Sequence, residues 1–486
     1  MNTWHIILLA AGYFALLLLL SRLVGGTKDN EAFFRGNRRS PWWAVAFGMI
    51  GASVSGVTFV SVPGMVQGVQ MTYLQMCFGF VVGYVLVAFV LLPIYYKLNL
   101  ITIYTYLNER FGLSAYRTGA VFFFFSKLIG ACIRLFLVCL ILQRFIFDVY
   151  GLPFWLNVSV LLLLIWLYTR SSGIKTIVWS DCLQTLVLLS ALVAIMWQLC
   201  SQMDLTLGAA VQAISESEMS KAFVFDDPKS KQYFWKLFVS GIFTVVVMTG
   251  LDQDMMQKNL TCRTLKQSQL NMCVNGFLYL PVNLVFLCLG ALMLLYCQQK
   301  NIALPAASDE ILPFLCGSGQ LGQVAMACFT LGIVAAAFSS ADSAMTSLTT
   351  CCCVDILRCP LDEKVRKIVH PLVGVAFLIF ILLVKALNST SVIDAVYTVC
   401  SYTYGPLLGL FSFGLLTKFM PRPKWVPVIC VVSPFICYAL REVTFRLTGY
   451  SFGYELLLCN GLITFLGLLA SSSKFCAKDA RGNGHV

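Results

Sequence analysis

The sequence predicts an all-α protein that crosses a membrane many times. Three observations carry this. Apolar residues make up 59% of the 486 positions, charged residues only 12%, and the apolar residues gather in runs near the length of a bilayer span. A soluble chain would carry about a quarter charged residues. The runs fall at residues 4–20, 42–69, 73–95, 115–147, 154–168, 177–199, 234–251, 274–297, 321–353, 368–387, 395–416, 425–440 and 454–470, which gives thirteen transmembrane helices. The first run continues into Arg22 and Lys28 without a cleavage-like ending, so residues 4–23 read as a retained helix. No spacer of domain size separates the runs, and residues 1–486 read as one transmembrane domain embedded in a lipid bilayer.

Lys and Arg set the orientation. One set of loops carries Lys28, Arg35, Arg38 and Arg39, then Lys97, Arg110 and Arg117, then Arg170 and Lys175, then Lys258, Arg263 and Lys266. It continues through Arg358, Lys364, Arg366 and Lys367, then Lys418, Arg422 and Lys424, to Lys474, Lys478 and Arg481. The alternate loops hold only Lys221, Lys229, Lys231, Lys236, Lys300, Arg441 and Arg446. This bias places the N-terminus outside and the C-terminus in the cytoplasm of a cell membrane (plasma or inner), which requires an odd number of spans. The net charge of +12 is the cytoplasmic excess of such a protein and calls for no nucleic-acid partner.

Several function classes lose support. The 20 cysteines are scattered through apolar spans without metal-ligand spacing and behave as small hydrophobes. His5, His370 and His485 lie near span ends or in the tail. No His/Cys/carboxylate cluster and no Gly-rich phosphate loop occurs, which argues against an enzyme with a metal or nucleotide centre. Nothing points to an obligatory protein partner. The sequons at Asn157, Asn259 and Asn388 match a motif short enough to arise by chance.

The ninth span holds the most informative polar group. Ser339, Asp342, Ser343 and Thr346 sit three or four residues apart and share one helix face. The hydroxyls alone have two readings, close helix packing with back-bonding to i−4 carbonyls or ligation of a cation. Asp342 favours the second, because back-bonding does not account for a carboxylate at membrane depth, and hard oxygens suit a small monovalent cation.

Two spans look interrupted. In the second, Gly48, Gly51 and Gly56 alternate with Ser53, Ser55 and Thr58, and Pro63-Gly64 follows. Such a stretch either packs tightly or unwinds, and unwinding at membrane depth is tolerated where the freed carbonyls line a cavity. The seventh breaks after Thr244–Gly250 and leads into Leu251-Asp252-Gln253-Asp254. Breaks five spans apart are what two inverted five-helix repeats require. Asp252 and Asp254 then read as caps of an inner loop that meet water. In the fourth span Lys127 and Arg134 share a face with Ala131. Lys127 either snorkels to an interface or stays inside; Arg134 lies deeper and wants an internal carboxylate or an anionic cargo. Asp181, at the start of the sixth span, reads alone as a solvated end residue.

Together these features resemble the sodium/solute symporter family, which includes sodium-coupled transporters for proline, galactose and sialic acid. Leu92-Pro93-Ile94-Tyr95-Tyr96-Lys97-Leu98, followed by Ile103 through Phe111, is similar to the family's loop after the third span. Gly173 through Gln184 resembles its Gly-Gly-(x)4-Val-x-Trp-(Ser/Thr)-Asp-x-x-Gln motif, with Ser172 replacing the first glycine. Asp252-Gln253-(x)3-Gln257 and Tyr402 through Gly409 match its Gln-rich loop and its eleventh span. The resemblance implies a LeuT-like fold: inverted repeats at residues 42–200 and 234–418, the extra helix at 4–23, and two C-terminal helices within 425–471. It also implies symport of a small solute, with Na+ as the coupling ion, by alternating access.

The same resemblance implies site residues. The main sodium site takes the Gly51 and Val54 carbonyls, the Ala336 carbonyl near a helix kink, and the Ser339 and Ser340 hydroxyls. A second sodium site, found in some relatives, falls on Asp181, Ser339, Asp342 and Ser343. The sialic acid transporters place a serine where this chain has Asp342, and two converging carboxylates hold either a second sodium or a proton between them. Solute positions fall on Ser53, Ser55, Thr58 and Tyr73. The relatives' carboxylate-binding arginine aligns with Ala131, and Arg134, one turn on, either replaces it or pairs with Asp342 or another buried acid. The leading expectation is therefore a sodium-coupled importer of a small polar solute, a carboxylate or sugar acid. A symporter of a neutral sugar, and a sensor or passive channel on the same scaffold, are the alternatives.

Overall fold

The computed structural model describes residues 3–24, 30–170, 173–359, 362–387 and 392–473. Lys28, Ser172, Asn388, Lys474, Lys478, Arg481 and His485 lie outside them. Among the described residues the elements are helical apart from one isolated bridge and a short antiparallel ladder, which pairs Met420 with Ser473 and Pro421 with Ser472.

Eight helical segments are long and apolar enough to cross a membrane, the longest being Leu113–Tyr150. Three helix pairs form bent spans: Trp42–Ser53 with Gly56–Val69 at 55°, Phe234–Gly250 with Gln253–Asn259 at 69°, and Val396–Thr403 with Gly405–Leu416 at 44°. Phe154–Thr169 and Leu456–Ala470 are shorter apolar helices.

The first two breaks lie where the glycines and hydroxyls predict them. At the first, Val54 (ψ 80°) and Ser55 (ψ 171°) leave the helical region. After the Val54 N–H to Ile50 bond, the next backbone bond uses the Ser55 carbonyl, so Gly51 and Val54 carbonyls have no backbone donor. The second break follows a π-helical turn, Val246–Gly250. Its freed carbonyls are taken by side chains: Tyr95 donates to Gly250 O and Tyr104 to Leu251 O, each at 2.9 Å. The third break was not expected. Pro406 has no N–H to give the preceding turn, so the helix restarts at Gly405.

The chain does not leave the membrane-spanning bundle at the second break. Gln253–Asn259 is a buried half-helix, which corrects the expected solvated loop. Asp252 and Asp254 are 2% and 4% exposed. Gln257 Nε2 donates to Phe34 O at 2.8 Å and lies 3.0 Å from Thr350 Oγ1. Asp181 is likewise buried rather than solvated, because the Trp42–Ser53 and Ile174–Gln202 helices meet at small residues. A Cβ on Gly48 would stand 2.9 Å from Asp181 Cβ, and one on Gly51 would overlap Thr185 Oγ1. Ile174–Gln202 packs in turn along Gly322–Cys351, the helix of the serine face.

Candidate cation and solute sites at the broken helices

A cavity of about 100 Å³ lies between the first two breaks. Ala52, Ser53, Ser55 and Thr58 border it from one, Met248, Thr249 and Asp252 from the other. Tyr84, Tyr279, Tyr397 and Tyr404 also line it, and Lys127 and Arg134 border it from the Leu113–Leu142 helix. Tyr84 OH is 3.3 Å from Ser53 Oγ, and Tyr279 OH donates to Ser53 O at 3.4 Å.

The two cations differ in their company. Lys127 is 6% exposed and does not snorkel. Its ammonium lies 3.1 Å from Asp252 Oδ2 and 2.6 Å from Asp254 Oδ2, so two carboxylates more than offset its charge. Asp252 also accepts from Tyr404 OH at 2.7 Å and from Asp254 N–H at 2.9 Å. The third break thus sets Tyr404 against the second. Arg134 is half-buried at the cavity wall. Among the described residues no carboxylate lies within ion-pair reach of it, and the expected alternative of a pair with Asp342 is not formed.

The expected main sodium ligands come from two adjoining elements. A Cβ on Gly56, just past the first break, would lie 3.8 Å from Ala336 Cβ. Ser340 Oγ is buried without a hydrogen-bond partner, an orphaned hard oxygen that a sodium ion would satisfy. Gly322–Cys351 runs through this point as a continuous helix, so the Ala336 carbonyl is not released by the expected kink.

The residues expected to hold a second sodium lie together but are already engaged. Ser339 Oγ donates to Asp181 Oδ1 at 2.8 Å. Asp181 Oδ2 is 2.7 Å from Lys258 Nζ, both side chains being 1% exposed. Asp342 Oδ2 accepts from Tyr168 OH at 2.6 Å, and its Oδ1 from Ser343 N–H. Ser343 Oγ lies 3.0 Å from Ser339 O and 3.1 Å from Asp342 Oδ1.

Tyr73 is not brought into the central cavity. It lines a second cavity of about 1790 Å³, and its hydroxyl is 3.1 Å from that of Tyr397, which borders both cavities. Reading the sequence for sites missed Lys258, counted there only as a loop base, and Tyr168. A signal for Lys258 existed: it follows Asp254 by four residues, on the same helix face. Tyr168 carried none.

The model of the sodium:solute symporter family matches residues 33–422. The chain belongs to the sodium:solute symporter family. Among relatives in that family, the sodium/iodide cotransporter of Homo sapiens is 28% identical over 432 residues, covering 83% of this chain and 65% of that protein. The sodium-dependent multivitamin transporter of Oryctolagus cuniculus is 27% identical over 427 residues, with the same shares. The chain therefore spans about two thirds of the length of these two relatives. The sodium/sialic acid symporter NanT of Aliivibrio fischeri is 25% identical over 408 residues, 80% of this chain and 78% of that one. The fold matches the substrate-bound outward-open state of a Na+-coupled sialic acid symporter with a TM-score of 0.83, at 21% identity over 97% of this chain and 99% of the other. Mhp1, a nucleobase-cation-symport-1 family transporter, in a closed conformation, matches with a TM-score of 0.58 at 16% identity over 94% and 99%.

Proposed function

We infer that this protein is a secondary active, sodium-coupled symporter that imports a small anionic solute, a carboxylate or compact sugar acid, by alternating access. One observation carries the choice of cargo: the cavity at the two helix breaks has two cations, and among the described residues only Lys127 has carboxylates within ion-pair reach. A guanidinium at a half-buried wall favours an anion with planar oxygens over a neutral sugar. A cavity of about 100 Å³ is small beside the roughly 300–1,000 Å³ that holds a drug-sized ligand, which favours a compact cargo. Ser53, Ser55 and Thr58 present hydroxyls to it.

Sodium binds in this reading between the Gly51 and Val54 carbonyls, the Ala336 carbonyl, and the Ser339 and Ser340 hydroxyls. The buried, unpartnered Ser340 Oγ supports that placement. All five oxygens are neutral, so the ion is held without a countercharge and is free to leave on the low-sodium side. Thirteen spans, repeats at residues 42–200 and 234–418, an outside N-terminus and a cytoplasmic C-terminus complete the proposal. Tyr73, bonded to Tyr397 between the two cavities, acts on cargo as part of a closure above it rather than as a ligand.

The test is a thermal-shift screen of short carboxylates, sugar acids, amino acids and neutral sugars on purified protein, with sodium or choline. A carboxylate that raises the melting temperature more in sodium than in choline is expected. Stabilisation by neutral sugars alone would overturn the anionic cargo.

A further inference from the structure

Sodium and a lysine ammonium carry the same charge, and held against one carboxylate they repel each other. Asp181 lies on the Ile174–Gln202 helix, opposite the serine face and next to the proposed sodium ligands. Its Oδ2 is 2.7 Å from Lys258 Nζ, inside a region where both side chains are 1% exposed. The contact is a short ion pair, and Lys258 Nζ makes no hydrogen bond elsewhere among the described residues. Lys258 reaches this point because the second broken span continues as the buried half-helix Gln253–Asn259. On the far side, Asp342 is held by Tyr168 and by Ser343 N–H, which takes both of its oxygens.

We propose that the Lys258 ammonium, paired with Asp181, is a tethered cation that takes the place of a second sodium at the Asp181, Ser339, Asp342 and Ser343 cluster, so that this transporter binds one sodium ion per protein. The inference rests on the sodium-coupled reading above and adds its stoichiometry. An ammonium fixed to the backbone meets Asp181 at a high effective concentration that dilute sodium does not match. It cannot be released with the cargo, so it contributes charge balance and no coupling. It also fixes Asp181, which accepts a hydrogen bond from the Ser339 hydroxyl and so leaves the acceptor capacity of the Ser339 oxygen unused by that contact.

The experiment is equilibrium binding of radiolabelled sodium to purified full-length protein. Wild type is expected to saturate at one ion per protein. Lys258→Gln is expected to saturate at two, with its melting temperature raised by sodium and not by choline. Asp181→Asn combined with Lys258→Gln removes both charges and is expected to return to one. Two ions on wild type would overturn the inference and leave sodium coupling intact, and this count needs no variant to fold. One ion on Lys258→Gln would overturn it as well. No sodium bound by wild type would remove the sodium-coupled reading itself, and the inference with it.

Discussion

Removing the Arg134 guanidinium takes from the central cavity its cation without a carboxylate neighbour among the described residues. Arg134→Ala is expected to weaken an anionic cargo by about 2 kcal/mol or more, roughly 30-fold, the low end for an unpaired buried charge. Calorimetric titration of the cargo in sodium measures this. Unchanged affinity would return Arg134 to a structural role. Lys127 behaves differently, because it separates two carboxylates. Lys127→Met is expected to cost about 3–5 kcal/mol of stability, read as a lower melting temperature, and a second change, Asp254→Asn, should restore part of it. Ser340→Ala should raise the sodium concentration for half-maximal cargo binding by about tenfold while leaving cargo affinity at saturating sodium near wild type. Residue types and spacings made Ser339, Ser340 and Asp342 legible in the sequence. Their partners were not, since Tyr168 and Lys258 lie 174 and 77 positions from Asp342 or Asp181 and meet them only through helix packing.

At the scale of elements, the bent spans position the chemistry. The first break stays open because Gly48 and Gly51 let the Trp42–Ser53 helix settle on Asp181 and Thr185. Gly51→Ala would drive a methyl into the Thr185 side chain and is expected to cost about 1–3 kcal/mol and to weaken sodium binding. Thr185→Ala in the same chain removes the overlapping Oγ1 but leaves the residue 185 Cβ 2.9 Å from the new methyl, and should recover part of the loss; no recovery would show that the contact is not what sets the helix. Two of the breaks were readable as glycine and hydroxyl runs inside apolar spans. The third was visible as Gly405-Pro406, yet it falls inside one continuous apolar run, and only the Tyr404 to Asp252 bond shows why it matters. The fate of residues 252–259 was misread because their polar composition matches a solvated loop. Burial there is offset locally by ion pairs and hydrogen bonds to Lys127, Thr350 and the Phe34 and Ile101 carbonyls.

Across the whole molecule, the proposed sodium ligands and the proposed cargo cavity meet at the same helix break, at residues 51–58. Coupling between the two is reciprocal: each changes the affinity for the other by the same factor. The fold class was legible from composition and periodicity alone, because a chain this apolar has few ways to satisfy its backbone in lipid. The cargo was not legible, since the proposal for it turns on which cation at the cavity has no carboxylate neighbour among the described residues. The most direct measurement is uptake by sealed proteoliposomes of a carboxylate selected in the thermal-shift screen. With an inward sodium gradient the carboxylate is predicted to accumulate above its external concentration, and to do so no longer when choline replaces sodium. Equilibration to the external concentration and no further, irrespective of sodium, would contradict sodium-coupled symport.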